Sequence, residues 1–192
     1  MSEEISNTYQ NKFINFFKKN IKKLIFLSIL LILTLLSFLF YKDLQIKNEI
    51  KLSEQYTEAT IKFKQKKTED SKQLLENIIN KKHKFYSPLA LYFIIDNNLE
   101  TDSLEIIKFF DKILSISSIE KENLNLIKIK KIIYLFNTGE EELIRKTLNP
   151  IINSDSVWRN IAIKLISDYF LSKDQKMKAK EYIQLLNNNL KK

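Results

Sequence analysis

Few residues of this chain are equipped for covalent or acid–base chemistry. His83 is the single histidine and cysteine is absent. A zinc or other transition-metal site would lack its usual ligands, and no Ser-His-Asp or Cys-His arrangement can be drawn at a workable spacing. His83 stands in the run Lys81-Lys82-His83-Lys84, where neighbouring positive charge makes it a poor base and a poor ligand. It reads as a solvated loop residue. Carboxylates gather at Glu140-Glu141-Glu142 and at Glu120 and Glu122, both at expected helix starts, where the helix dipole accounts for them without catalysis. Gly139 is the only glycine, so a phosphate-cradling loop has no material. The expectation is a protein that is not an enzyme, with no cofactor, no metal and no small-molecule substrate.

Binding chemistry is better represented. Tyr92, Phe93, Tyr134, Phe136, Tyr169 and Phe170 fall on the leading helices of a series of helical hairpins. Core packing takes most of these rings, and some tyrosines remain to present an amphipathic face to a bound segment. Trp158, the sole tryptophan, opens the last leading helix and can seal the junction between hairpins. Arg159 beside it can reach backbone carbonyls or an acidic side chain. Tyr92, Tyr134, Trp158, Arg159 and Tyr169 are therefore the candidate residues of a partner-binding groove.

The elements that must position them are helical throughout. With one Gly and two Pro the chain has little turn chemistry for a sheet, and apolar residues recur at three- and four-residue intervals. Breaks at Lys66-Lys67-Thr68, Asn97 to Thr101, Asn137-Thr138-Gly139 and Ser172-Lys173-Asp174 mark hairpin turns, with Thr68, Thr101 and Thr138 placed to cap the following helices. Leading helices are expected at 44–66, 87–97, 121–136 and 157–171. Pro88 suits the first turn of its helix, and Pro150 should kink or end the one it occupies. Paired apolar residues at Ile78-Ile79, Ile113-Leu114, Ile151-Ile152 and Leu185-Leu186 repeat every 34 to 38 residues. That is close to the period of tetratricopeptide hairpins, which bury their apolar faces only by stacking. The predicted fold is all-α: one N-terminal transmembrane helix followed by a tetratricopeptide-like solenoid of about four hairpins.

The transmembrane helix is the stretch 24–41, LIFLSILLILTLLSFLFY, eighteen uncharged residues of which fourteen are Leu, Ile or Phe. At about 1.5 Å per residue it covers about 27 Å, near the roughly 30 Å hydrocarbon core. Lys18, Lys19, Lys22, Lys23 and Lys42 flank it and can snorkel to the headgroups. Lysines concentrate before the span and are mixed with acids after it, which places the N-terminus in the cytoplasm. Tyr41 to Gln45 offers no small-residue cleavage site, so the span is expected to stay as a signal anchor. The resulting plan is a cytoplasmic tail (1–23), the anchor (24–41) and a periplasmic domain (42–192) in the bacterial inner membrane. About 150 residues after the anchor suffice for one domain.

The net charge of +9 does not indicate nucleic acid. The first 41 residues hold five lysines against two glutamates, and the remainder carries 27 basic against 21 acidic side chains, intermixed and with only Arg145 and Arg159 as arginine. This is a solvated surface with a modest pull toward anionic lipid or an acidic partner.

The tail Ser2-Glu3-Glu4-Ile5, the lead-in Phe16-Phe17-Lys18-Lys19-Asn20, the single span, Leu148-Asn149-Pro150-Ile151 and Val157-Trp158-Arg159-Asn160-Ile161-Ala162 together resemble the YfgM family, ancillary subunits of the Sec translocon. The chain departs from that family in lacking its small residues: only Ser71 and Ala179 are small where the second helices should cross closely, Ile106 and Ile144 filling the equivalent places. The resemblance implies association with the SecYEG channel and a membrane-anchored periplasmic chaperone of the peptidyl-prolyl isomerase type, assisting export or chaperone handover. A general scaffold for envelope or division complexes would use the same architecture.

Overall fold

The structure is a computed structural model that describes the backbone of residues 2–187 and the side chains of residues 19–186. Among these residues every regular element is helical: α1 (Ser2–Lys64), α2 (Thr68–Asn80), α3 (Tyr86–Asp96), α4 (Ser103–Leu114), α5 (Lys121–Tyr134), α6 (Glu141–Ile152), α7 (Arg159–Ser172) and α8 (Lys176–Asn187). The chain divides into two compact units, Met1–Lys51 and Leu52–Lys192.

The first unit is carried by α1, which is long and apolar enough to cross a membrane; none of its apolar window is buried. Ser28 Oγ donates to the Leu24 carbonyl at 2.9 Å and Thr34 Oγ1 to the Leu31 carbonyl at 2.8 Å. Both hydroxyls are thus satisfied inside their own helix, as a hydrocarbon environment requires. Lys19, Lys22, Lys23 and Lys42 are exposed on either side, and the Lys18 side chain lies outside the described residues.

In the second unit successive helices pack against one another, and α2 also touches α4. Helix ends at three of the hairpin turns share one chemistry. Lys66, Asn98 and Asp174 take left-handed φ of 63°, 50° and 57°. In each case the next N–H reaches back to close the helix, Lys67 to Lys62, Leu99 to Ile94 and Gln175 to Phe170, at 2.8–3.0 Å. The remaining turn holds Gly139, whose φ is not left-handed. Space is what demands glycine there: a Cβ would stand 2.8 Å from the Leu135 carbonyl oxygen.

The threonine caps do not form. Thr68 is already helical, and the residue before α4 that caps it is Asp102, whose carboxylate accepts from Leu104 N at 2.9 Å. Glu140 flanks α6 without a side-chain cap. Pro88 does lie in the first turn of α3, and Pro150 in the last turn of α6, two residues before the helix ends.

Two apolar clusters form the core. One gathers Leu75, Ile78, Ile79, Leu91, Ile94, Ile106, Phe110, Ile113 and Ile127 among others. The second gathers Ile129, Ile132, Ile144, Leu148, Ile151, Ile163, Ile166 and Phe170. Helix α5 contributes to both.

Small residues decide where helices meet closely. Ser71 Oγ donates to the Ala59 carbonyl at 2.8 Å, and Ser167 Oγ to the Ala179 carbonyl at 3.2 Å, each pair twelve residues apart. The same spacing pairs Ile94 with Ile106 and Ile132 with Ile144, all fully or almost fully buried. Ala59, Ile94, Ile132 and Ser167 therefore mark one register position in four consecutive hairpins.

Candidate functional site

That register brings Tyr92 and Lys130 to the same position of two neighbouring hairpins, each two residues before its marker isoleucine. Lys130 Nζ stands 4.3 Å from the centre of the Tyr92 ring, a cation–π contact. Beneath them, between α3 and α5, lies a depression of about 240 Å³ lined by Lys84, Phe85, Pro88, Leu89, Tyr92, Asn123, Leu126 and Ile127. It is smaller than the roughly 300–1,000 Å³ of small-molecule sites and suits one or two side chains of a larger partner. No carboxylate lines it. Burial pushes the Tyr92 phenol up to about 12, with no charged group contributing. A wider indentation of about 420 Å³ is lined only by Glu142, Arg145, Lys146, Asn149, Pro150 and Asn153, so it follows a single helix and its end and mixes both charges.

The other groove candidates are placed differently. Tyr134 is half-buried beside Phe110, with ring centres 6.2 Å apart, and its hydroxyl meets Ser103 Oγ at 3.4 Å. Tyr169 is only 4 % exposed; its ring packs edge-on against Phe136 and Phe170 and its hydroxyl donates to the Gly139 carbonyl at 3.3 Å. Burial commits that ring to packing and leaves no face for a groove. Trp158 flanks α7 and packs against the second core cluster. Arg159 Nε donates to the Ile152 carbonyl at 2.8 Å, closing the end of α6. Of the five residues, Tyr92 is the one that lines this depression.

His83 is more than a solvated loop residue. Its Nδ1 accepts from Phe85 N and Tyr86 N at 3.3 and 3.2 Å, while His83 N donates to Ser87 Oγ at 2.9 Å. This reciprocal arrangement ties the turn to the start of α3, whose N-cap residue, Phe85, has no side-chain cap of its own. Ser87 Oγ in turn donates to the Ile78 carbonyl at 2.9 Å, tying α3 to α2.

The carboxylates read as dipole partners also join hairpins. Glu122 Oε2 accepts from Ser156 Oγ at 2.6 Å and Val157 N at 3.2 Å, and Asn125 Nδ2 donates to the same Ser156 hydroxyl at 3.1 Å. Glu141 accepts from Lys178 at 2.9 Å, and that ammonium holds its carboxyl below the usual range. No group of three or more His, Cys, Asp or Glu is placed to hold a metal ion among the described residues. Comparison with protein-family models, with curated proteins and with solved structures gives no match.

Proposed function

We propose that the chain is a single-pass bacterial inner-membrane protein, N-terminus cytoplasmic, whose periplasmic domain is a tetratricopeptide-like solenoid that holds protein partners without catalysing a reaction. The observation that supports the solenoid part of this reading is that several contacts between hairpins recur at separations near one hairpin length. Lys112 meets Asn80, Tyr182 meets Asn149, Glu122 meets Ser156 and Lys178 meets Glu141 at separations of 32, 33, 34 and 37 residues. Such separations are what one helical hairpin stacked on the next produces.

Within that class the best-supported role is an adaptor at the periplasmic exit of the Sec translocon, working with a membrane-anchored isomerase-type chaperone in export or handover. The resemblance of the span, the Leu148-Asn149-Pro150-Ile151 helix end and the Trp158-Arg159 start to the YfgM family supports it. Anchoring also raises the effective concentration of a groove toward chains emerging at the membrane.

Photo-crosslinking in intact membranes from a reactive residue at Leu35 or Tyr92, with mass spectrometry of the adducts, tests the role. Adducts to translocon subunits or a periplasmic isomerase are expected. Adducts only to division or outer-membrane assembly proteins would transfer the architecture to a general envelope scaffold.

A further inference from the structure

We propose that the depression between α3 and α5 is a receptor for an extended peptide segment carrying an acidic side chain beside a large apolar one. The inference rests on the partner-binding reading above and names the chemistry of the partner. The floor is apolar: Pro88, Leu89, Leu126 and Ile127, with Phe85 at the edge and 61 % exposed. Around this floor stand four donors. The Lys84 and Lys130 ammonium groups, the Tyr92 hydroxyl and the Asn123 side-chain amide have no hydrogen-bond or carboxylate partner among the described residues.

Lysines without a carboxylate partner occur elsewhere on this surface too; what sets Lys84 and Lys130 apart is the apolar floor beside them. Lys72, Lys108, Lys121, Lys131 and Lys178 each pair with a carboxylate. At the depression the cations face none, so its uncompensated charge is positive and its complement is an anion. The apolar floor selects the company that anion keeps, since a leucine-sized side chain covering Leu89 and Leu126 gains from burial while an isolated anion does not. Two lysines on different hairpins flank the floor, which favours an extended segment laid across α3 and α5.

The test uses the full chain in nanodiscs of zwitterionic lipid and fluorescence anisotropy of labelled peptides. The probe is a peptide of alternating Leu and Glu blocked at both termini, compared with Leu-Gln and Leu-Lys counterparts. The Glu peptide should bind about tenfold more tightly than the Gln peptide, and the preference should shrink as salt rises. The double substitution Lys84→Ala with Lys130→Ala should bring Glu and Gln peptides level, and Tyr92→Phe should weaken the Glu peptide while keeping the ring. Circular dichroism checks that these surface variants remain folded. Equal binding of Glu and Gln peptides, or a preference that survives the double substitution, overturns the proposal. Lysine-dependent sedimentation with phosphatidylglycerol vesicles in place of any peptide preference would assign the pocket to a lipid headgroup and also overturn it. Crosslinks from Leu35 report on the partner-binding reading by themselves, so either idea can fail alone.

Discussion

Ser71 donates its hydroxyl proton to the carbonyl of Ala59 across the α1–α2 turn at 2.8 Å, and both residues are fully buried. The hydroxyl is held by a backbone acceptor, and the absence of side-chain bulk on Ala59 lets the helices approach. Ser71→Ala should cost about 1 kcal/mol, the net value of one hydrogen bond, whereas Ser71→Leu should cost about 1–3 kcal/mol or more through overpacking. Urea denaturation of the two variants checks the order; a smaller cost for leucine than for alanine would contradict the close crossing.

Gly139→Ala tests a different constraint. Its new methyl would meet the Leu135 carbonyl oxygen at 2.8 Å, a backbone atom with little freedom to yield, as well as the Leu135 Cβ and Ile144 Cδ1. A loss of about 1–3 kcal/mol is expected. Because φ is ordinary there, the loss comes from crowding, and trimming Ile144 to Val should not restore it.

Lys66 and Asp174 show the reverse case, non-glycine residues held at φ of 63° and 57°. Lys66→Gly and Asp174→Gly remove a Cβ clash of about 1 kcal/mol each, less the entropy that glycine returns to the unfolded chain. Small gains in melting temperature are expected, measured in detergent by circular dichroism. A clear loss at Lys66 would deny its left-handed conformation.

Acid should loosen the second unit through Glu100. Lys72 Nζ sits 2.7 Å from one carboxylate oxygen, and Thr101 N and Asp102 N donate to the other at 2.8 and 2.7 Å. The lysine hydrogen bond first, and the Asp102 N–H next, hold this carboxyl below its ordinary value of 4.5. A depressed folded-state value means that the stabilisation is complete above about pH 4.5 and is lost as pH falls through the folded value. Glu100→Gln should lower stability at pH 7 by about 1–2 kcal/mol and flatten the acid limb of the stability curve. An acid limb of unchanged depth in the variant would refute the assignment.

At the alkaline end the Tyr92 phenol, pushed up to about 12 by burial, should stay protonated while ordinary tyrosines ionise near 10. The folded chain holds this proton more tightly than the unfolded chain. The associated stability is therefore present up to about pH 10 and is lost between about pH 10 and 12. Difference absorbance of Tyr92→Phe against the parent chain isolates this transition.

The helices were legible because apolar periodicity and turn residues agree along the chain. The predicted leading helices at 87–97, 121–136 and 157–171 match α3, α5 and α7 to within about two residues. The caps were not legible, because which residue caps depends on where the backbone first turns helical, and Thr68 lies one place too late. The bonds of His83 were not legible because they depend on its pairing with Ser87, which a lysine-rich neighbourhood hides. Tyr92 was identifiable by type, whereas Lys130 looks like any solvated lysine until the two hairpins are aligned on Ile94 and Ile132. Tyr169 shares its residue type with Tyr92 and differs in register, which is what buries it.

The two apolar clusters share only α5, with Ile127 in one and Ile129 and Ile132 in the other. Cooperativity must pass through that one helix. Heating should melt the two halves as loosely coupled blocks, with a calorimetric enthalpy larger than the van't Hoff value, and a single midpoint will not describe the domain.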